Sequence, residues 1–269
     1  MVNTILFMGI HRSGNHGLIN WLIGNLRGKI IHINALHHRD LTPELYSRYS
    51  EKKDTSSEIY DSCELEYYER DWTNFNHADW LILSLESVKV RSMKEQIVDF
   101  TKKTKCKSIL LLRDPLNNAA SMYKIRRARD FTVEKAGNSV GAVLECWDQH
   151  AKEMVEPNSF WTTRILFNRW MYDRTYRDQI MSDLGLTNSD SGFGKISGHG
   201  RSSFDQNRAD ARDLDLEGRY LSMISEEGFL GSLEKKGVDL ELWKNVCELY
   251  SHKLNEDYLE LLSKFPRVE

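Results

Sequence analysis

Residues 5–18 read ILFMGIHRSGNHGL, an apolar run, a tight turn carrying Gly9 and Gly14, and the opening of a helix. Few segments restrict a chain more. Residues 4–9 have the β-branched and apolar character of a strand buried on both faces. Leu18, Ile19, Leu22, Ile23 and Leu26 then recur at helical spacing and give the next segment one apolar face. Such a helix has to pack back onto the sheet that holds the strand, which predicts parallel β-α-β organisation. The turn between them exposes backbone N–H groups. The helix start adds unpaired donors and the positive end of the dipole, so the segment forms a cradle for phosphate.

The rest of the chain repeats this alternation. Residues 29–33, 80–85, 108–112 and 160–167 read as further strands. Residues 92–103, 117–129, 140–154 and 173–184 read as helices, the last ending at Gly185. Residues 41–70 are polar and charged, with Thr42 and Pro43 as a helix start. Residues 187–205 hold four glycines and read as a long surface loop. Residues 214–262 read as mostly helical, with Leu242, Trp243, Val246 and Leu249 on one buried face. The expected fold is α/β with three layers, a P-loop-like central sheet that is mostly parallel and flanked by helices. One domain over residues 1–269 is expected, with a helical cap at about 214–262.

Composition narrows the function. A formal charge of −3 argues against a generally basic nucleic-acid binder, though it permits a local basic pocket. No apolar run approaches the roughly 18 residues of a membrane span, so none is expected. Cys63, Cys106, Cys146 and Cys247 lack CxxC spacing and read as free thiols. With no signal-peptide pattern at residues 1–9, these features predict a cytoplasmic protein.

The loop nearly matches the Walker A spacing G-x-x-x-x-G-K-[ST], but Asn15 and His16 stand where the Lys and the Mg²⁺-binding hydroxyl belong. The cation is Arg12, inside the loop. That pattern suggests phosphate binding without ordinary nucleotide hydrolysis. A second anchor begins at Arg113-Asp114-Pro115, directly after the strand at 108–112. The strand delivers Arg113 to the carboxyl edge of the sheet, where ligands bind in open α/β folds. Pro115 suits a first helical turn, and Ser121 follows about two turns on. Arg113 and Ser121 are placed either to share one phosphate or to serve as a strand-end ion pair and an ordinary helix residue.

With both segments in view, the chain resembles the sulfotransferases that use 3′-phosphoadenosine 5′-phosphosulfate. Their 5′-phosphosulfate loop, [KR]-x-G-[TN]-x-x, is matched by Arg12-Ser13-Gly14-Asn15-His16-Gly17. Their 3′-phosphate segment, R-[DN]-P-x-x-x-x-x-S-x-[YW], is matched from Arg113 through Ser121 and Tyr123. The resemblance covers residues 4–186 in outline and is dense at the two motifs. It implies that Arg12, Ser13, Gly14, Asn15, His16 and Gly17 hold the 5′ side and that Arg113 and Ser121 hold the 3′-phosphate. It also implies a late basic loop, matched by residues 197–204, with Arg201 and Ser202 completing the cofactor site.

Sulfuryl transfer needs positioning and charge stabilisation more than covalent catalysis, by analogy with phosphoryl transfer. Arg12 is the expected cation at the bridging oxygen. Glu86, His37 and His38 are the candidates for a general base toward a hydroxyl or amine acceptor. The product is 3′-phosphoadenosine 5′-phosphate, and the scheme requires no metal. The acceptor class, whether small molecule, carbohydrate or lipid, stays open. Two other readings also stay open, a P-loop-type small-molecule kinase and a non-catalytic phosphonucleotide-binding module. Near the second motif, Lys124, Arg126, Arg127 and Arg129 form a basic cluster, either a pocket entrance or a solvated helix face.

Overall fold

A computed structural model describes residues 2–34, 36, 41, 57–61, 64–68, 78–194, 204, 210, 216 and 218–267. Its strands are β1 (Asn3–Gly9), β2 (Lys29–Ile33), β3 (Ser57–Asp61), β4 (Glu64–Tyr68), β5 (Trp80–Glu86), β6 (Lys107–Leu112) and β7 (Thr163–Leu166). The helices are α1 (Asn15–Asn25), α2 (Val90–Thr104), α3 (Pro115–Arg127), α4 (Val133–Val155), α5 (Phe167–Tyr172), α6 (Arg174–Asp183), α7 (Phe229–Lys236), α8 (Leu240–Leu249) and α9 (Glu256–Ser263).

All the described strands join one sheet in the order β4-β3-β2-β5-β1-β6-β7. From β2 to β7 the neighbours are parallel; β3 and β4 extend the sheet as an antiparallel pair. Helices flank this sheet and complete the three layers. The parallel strands are mostly apolar because they are covered on both faces, and Ile5 to Met8 are fully buried. β1 and β5 run in register from Asn3 opposite Trp80 to Gly9 opposite Glu86. Their carboxyl ends therefore lie level, and the α1 loop and the turn after Glu86 leave the sheet side by side.

The elements differ from the sequence expectation where capping decides the start. α3 begins at Pro115 rather than at residue 117, because Asp114 accepts from the N–H of Asn117 and Pro115 needs no donor in the first turn. α4 begins at Val133 rather than at residue 140, because Thr132 caps it. The strand expected over 160–167 shrinks to β7, and Phe167 opens α5. The β3–β4 pair lies within the stretch that patterning left without strands. Thr42 and Pro43 lie outside the described residues.

In the C-terminal part, Trp243 on α8 meets Trp147 on α4 edge to face, with centroids 6.0 Å apart. Val238 bridges to Pro266. Cys106, Cys146 and Cys247 are buried free thiols. No described helix is long and apolar enough to cross a membrane.

Candidate anion-binding and proton-transfer site

The loop from Ile10 to Gly14 turns sharply and is fastened from within. Ser13 N–H donates to the Ile10 carbonyl at 3.1 Å, and the Ser13 hydroxyl reaches the same carbonyl at 2.6 Å. Asn15 also donates to that carbonyl, at 3.1 Å. Two glycines are required here. A Cβ on Gly9 would run into the Asn15 amide. Gly14 has φ +96° and lies against the ring of Phe167, so a side chain there would be both strained and obstructed. Arg12 itself adopts φ +69°, in the left-handed region. α1 starts at Asn15 with no side-chain cap and no acidic residue in its first turn. Its positive end is thus not neutralised by the helix itself.

Arg12 and the second anchor meet. Arg12 Nε donates to Ser121 Oγ at 3.4 Å across 109 positions of sequence. Arg113, at the carboxyl end of β6, donates through Nη1 to the Arg12 carbonyl at 3.3 Å. Its Nη2 donates to the Leu216 carbonyl at 2.7 Å, and its Nε lies 3.6 Å from Asp114 Oδ2. The Arg113 guanidinium stacks over Phe167 with its centre 5.2 Å from the ring centroid. Arg113 is 1% exposed, so it braces the loop from beneath instead of opening onto solvent. Asn118 on α3 adds a third tie, donating to the His11 carbonyl at 3.0 Å.

Asp114 is the hub under this arrangement. Its carboxylate accepts from Asn117 N–H and the Asn117 amide, both at 2.8 Å, and from Asn168 and the Tyr258 hydroxyl, both at 3.1 Å. Burial pushes the Tyr258 hydroxyl well above its usual range, and the Asp114 charge adds to this, so Tyr258 stays a donor.

The electrostatics favour an anion. Burial lowers the Arg12 pKa most, Arg113 and Arg129 push it the same way, and Glu86 opposes them. Burial also lowers the Arg113 pKa, with Asp114 opposing. Like charges brought this close gain from binding an anion, while Glu86 and Asp114 each offset part of the repulsion.

Glu86 ends β5 and faces the loop. Its Oε1 accepts from the Asn15 amide at 2.8 Å, and its Oε2 pairs with His11 Nε2 at 2.9 Å. Burial pushes this carboxyl up, yet the hydrogen bonds and charge from His11, the Asn15 amide and His16 outweigh it, and the carboxyl lies below its usual range. Ser87 follows at φ +53°. Its hydroxyl lies 2.7 Å from His11 Nδ1 and accepts the His11 backbone N–H at 2.9 Å.

Arg12, Asn15, Glu86, Arg113 and Ser121 are therefore gathered at one end of the sheet, with Ser13, Gly14, His16 and Gly17 on the same turn and helix start. His37, His38, Arg201 and Ser202 lie outside the described residues. The reading of 187–205 as one long loop is testable only to Gly194 and at Phe204. Residues 187–194 are tied down through Asp190, which takes hydrogen bonds from Arg177 at 2.8 and 3.1 Å. In the basic cluster, Lys124 lies over the Phe204 ring and Arg126 over Phe131. Sequence reasoning missed His11 and Ser87. Both abut chosen residues, Arg12 and Glu86, but their mutual approach depends on the strand register.

No protein-family model matches the chain, and no curated protein matches it. Among solved structures it is similar to mouse sulfotransferase SULT7A1 complexed with PAP, with 14% identity, 98% of this chain and 89% of that chain covered, and a TM-score of 0.48. It is also similar to a sulfotransferase from Alicyclobacillus acidocaldarius, with 10% identity, 97% and 99% covered, and a TM-score of 0.39.

Proposed function

We propose that this chain is a sulfotransferase that moves a sulfuryl group from 3′-phosphoadenosine 5′-phosphosulfate to a hydroxyl or amine acceptor. The two motifs carry the reading together with one contact, Arg12 Nε on Ser121 Oγ at 3.4 Å. That contact joins the residue assigned to the 5′ side with one assigned to the 3′-phosphate. The uncapped start of α1 is suited to the 5′-phosphate, with donors from Asn15, His16 and Gly17. Arg12 bridges the two ends and neutralises charge where the phosphate leaves. Ser121 takes the 3′ side, and Arg113 adds positive charge from below while holding the Arg12 backbone. When bound, the cofactor supplies an activated sulfuryl group whose leaving group is a phosphate. Among the described residues no group of three or more His, Cys, Asp or Glu side chains is arranged to hold a metal ion.

Calorimetric titration with 3′-phosphoadenosine 5′-phosphate tests the reading. One-to-one binding that weakens in R12A and S121A is expected. Absence of binding by the intact chain would overturn it, and Mg²⁺-dependent ATP turnover would replace it with a kinase.

A further inference from the structure

The sheet edge beside Arg12 carries a hydrogen-bonded line of three side chains that the phosphate site does not use. Ser87 Oγ lies 2.7 Å from His11 Nδ1, and His11 Nε2 lies 2.9 Å from Glu86 Oε2. The partners fix the proton positions. The Glu86 carboxylate only accepts, so Nε2 carries the hydrogen in the neutral ring. Nδ1 is then an acceptor, and the Ser87 hydroxyl donates to it. The backbone N–H of His11 fills one lone pair of Ser87 Oγ. A hydroxyl has two, so one acceptor position remains. Ser87 is partly exposed and the His11 side chain is 46% exposed, whereas that of Glu86 is 10% exposed.

We propose that Ser87 and His11 form the proton relay of this site, receiving the proton of the acceptor hydroxyl, with Glu86 as the positioning residue that orients the imidazole. The proposal rests on the sulfuryl-transfer reading for the identity of the reaction. The acceptor O–H donates to the remaining lone pair of Ser87 Oγ. As the acceptor oxygen bonds to sulfur, its proton passes to Ser87 while the Ser87 proton passes to His11 Nδ1. The bond from sulfur to the bridging oxygen breaks, and the phosphate leaves with that electron pair next to Arg12. The imidazolium is stabilised by Glu86 and later releases its proton to water.

Glu86 is poorly suited to act alone, since both its oxygens are already engaged, by Asn15 and by His11. Its carboxyl, held below the usual range, is also a weak base. The charged or titratable groups around the line are Glu86 from β5, Arg12 from the loop, whose charge Glu86 favours, His16 from the first turn of α1, which lowers Glu86, and Cys146 of α4, whose thiol donates to the Ser87 carbonyl at 3.4 Å. Asn118 of α3 fixes the His11 carbonyl without charge.

Two measurements test this on the full chain. Nitrogen NMR of ¹⁵N-histidine-labelled protein at mildly alkaline pH, with H11Q for assignment, reads the tautomer without any cofactor. A neutral ring protonated on Nε2, with an Nδ1 signal that moves in S87A, is expected. A neutral ring protonated on Nδ1 would overturn the relay. The second measurement is the rate of 3′-phosphoadenosine 5′-phosphate release from the phosphosulfate, with water or an added alcohol as acceptor, across pH. H11Q and S87A should lose on the order of 100-fold in rate while keeping their affinity for the desulfated product. H11Q should also lose the acid limb of the profile. Unchanged rate and acid limb in H11Q would sink the relay while leaving the sulfotransferase reading intact. Failure of the wild type to bind the desulfated product would remove that reading instead, and the tautomer would still decide the Ser87–His11–Glu86 line.

Discussion

Arg113 Nη1 donates to the main-chain carbonyl of Arg12, 101 positions earlier in the chain, at 3.3 Å. A buried side chain at the end of β6 thereby fixes the conformation of the loop at the end of β1. Ser121 meets Arg12 from the other direction. Replacing Arg113 by Met leaves the Arg12 and Leu216 carbonyls without their donor and Asp114 without its nearest cation. A loss of about 3 kcal/mol in chemical denaturation is expected, together with weakened binding of the desulfated cofactor. S121A removes only a hydroxyl. Because Ser121 is buried and accepts from Arg12 Nε, the variant should lose about 1 kcal/mol in chemical denaturation, less than R113M, and bind about tenfold more weakly by calorimetry.

Gly14 tolerates no side chain, for two separable reasons. Its φ of +96° strains any L-residue, and Phe167 occupies the space a Cβ would take. G14A should cost on the order of 2 kcal/mol in denaturation and abolish cofactor binding. Adding F167L to G14A should recover the steric part and leave the backbone part. Full recovery would show that the left-handed conformation is dispensable.

His150 is buried on α4, with Nε2 donating to the Val88 carbonyl at 3.1 Å. Burial lowers its pKa from 6.5 to about 4. The folded state therefore holds this histidine neutral while the unfolded chain protonates it. Its contribution is fully present above pH 6.5 and is lost as pH falls toward 4. About 3 kcal/mol should disappear across that window. In H150Q the pH dependence measured by urea denaturation should flatten there.

Tyr258 donates to Asp114 at 3.1 Å and accepts the Leu116 N–H at 3.2 Å. Y258F would leave a buried N–H without its partner at the start of α3. A loss of about 2 kcal/mol in thermal or chemical denaturation is expected. Cofactor affinity should fall less than in S121A, because Asp114 keeps its bonds to Asn117 and Asn168.

The alternation of apolar strands and amphipathic helices was legible because buried parallel strands need continuous apolar runs. Residues 29–33 were bounded as the structure has them, and β1, β5 and β6 to within a residue or so. Patterning failed where a single cap set the boundary, as Thr132 does for α4, and for β3 and β4, which lack a long apolar run. That the segments of Arg12 and Ser121 lie together follows from the resemblance, which sets both motifs around one cofactor. The inward burial of Arg113 does not, since nothing in the spelling Arg-Asp-Pro states that Leu216 will supply a carbonyl. The approach of His11 to Ser87 is hidden from the sequence for a related reason. Their partnership is set by the pairing of Gly9 with Glu86, a property of two strands together.

That pairing carries a constraint on change. A one-residue deletion within β5 would invert which face each later side chain occupies, sending the carboxylate of Glu86 away from His11 and Asn15. The same deletion in β1 would withdraw the turn from its neighbour. Redesigned variants should therefore hold the lengths of these two segments in step, and naturally occurring insertions should fall upstream of Trp80 or downstream of Val88.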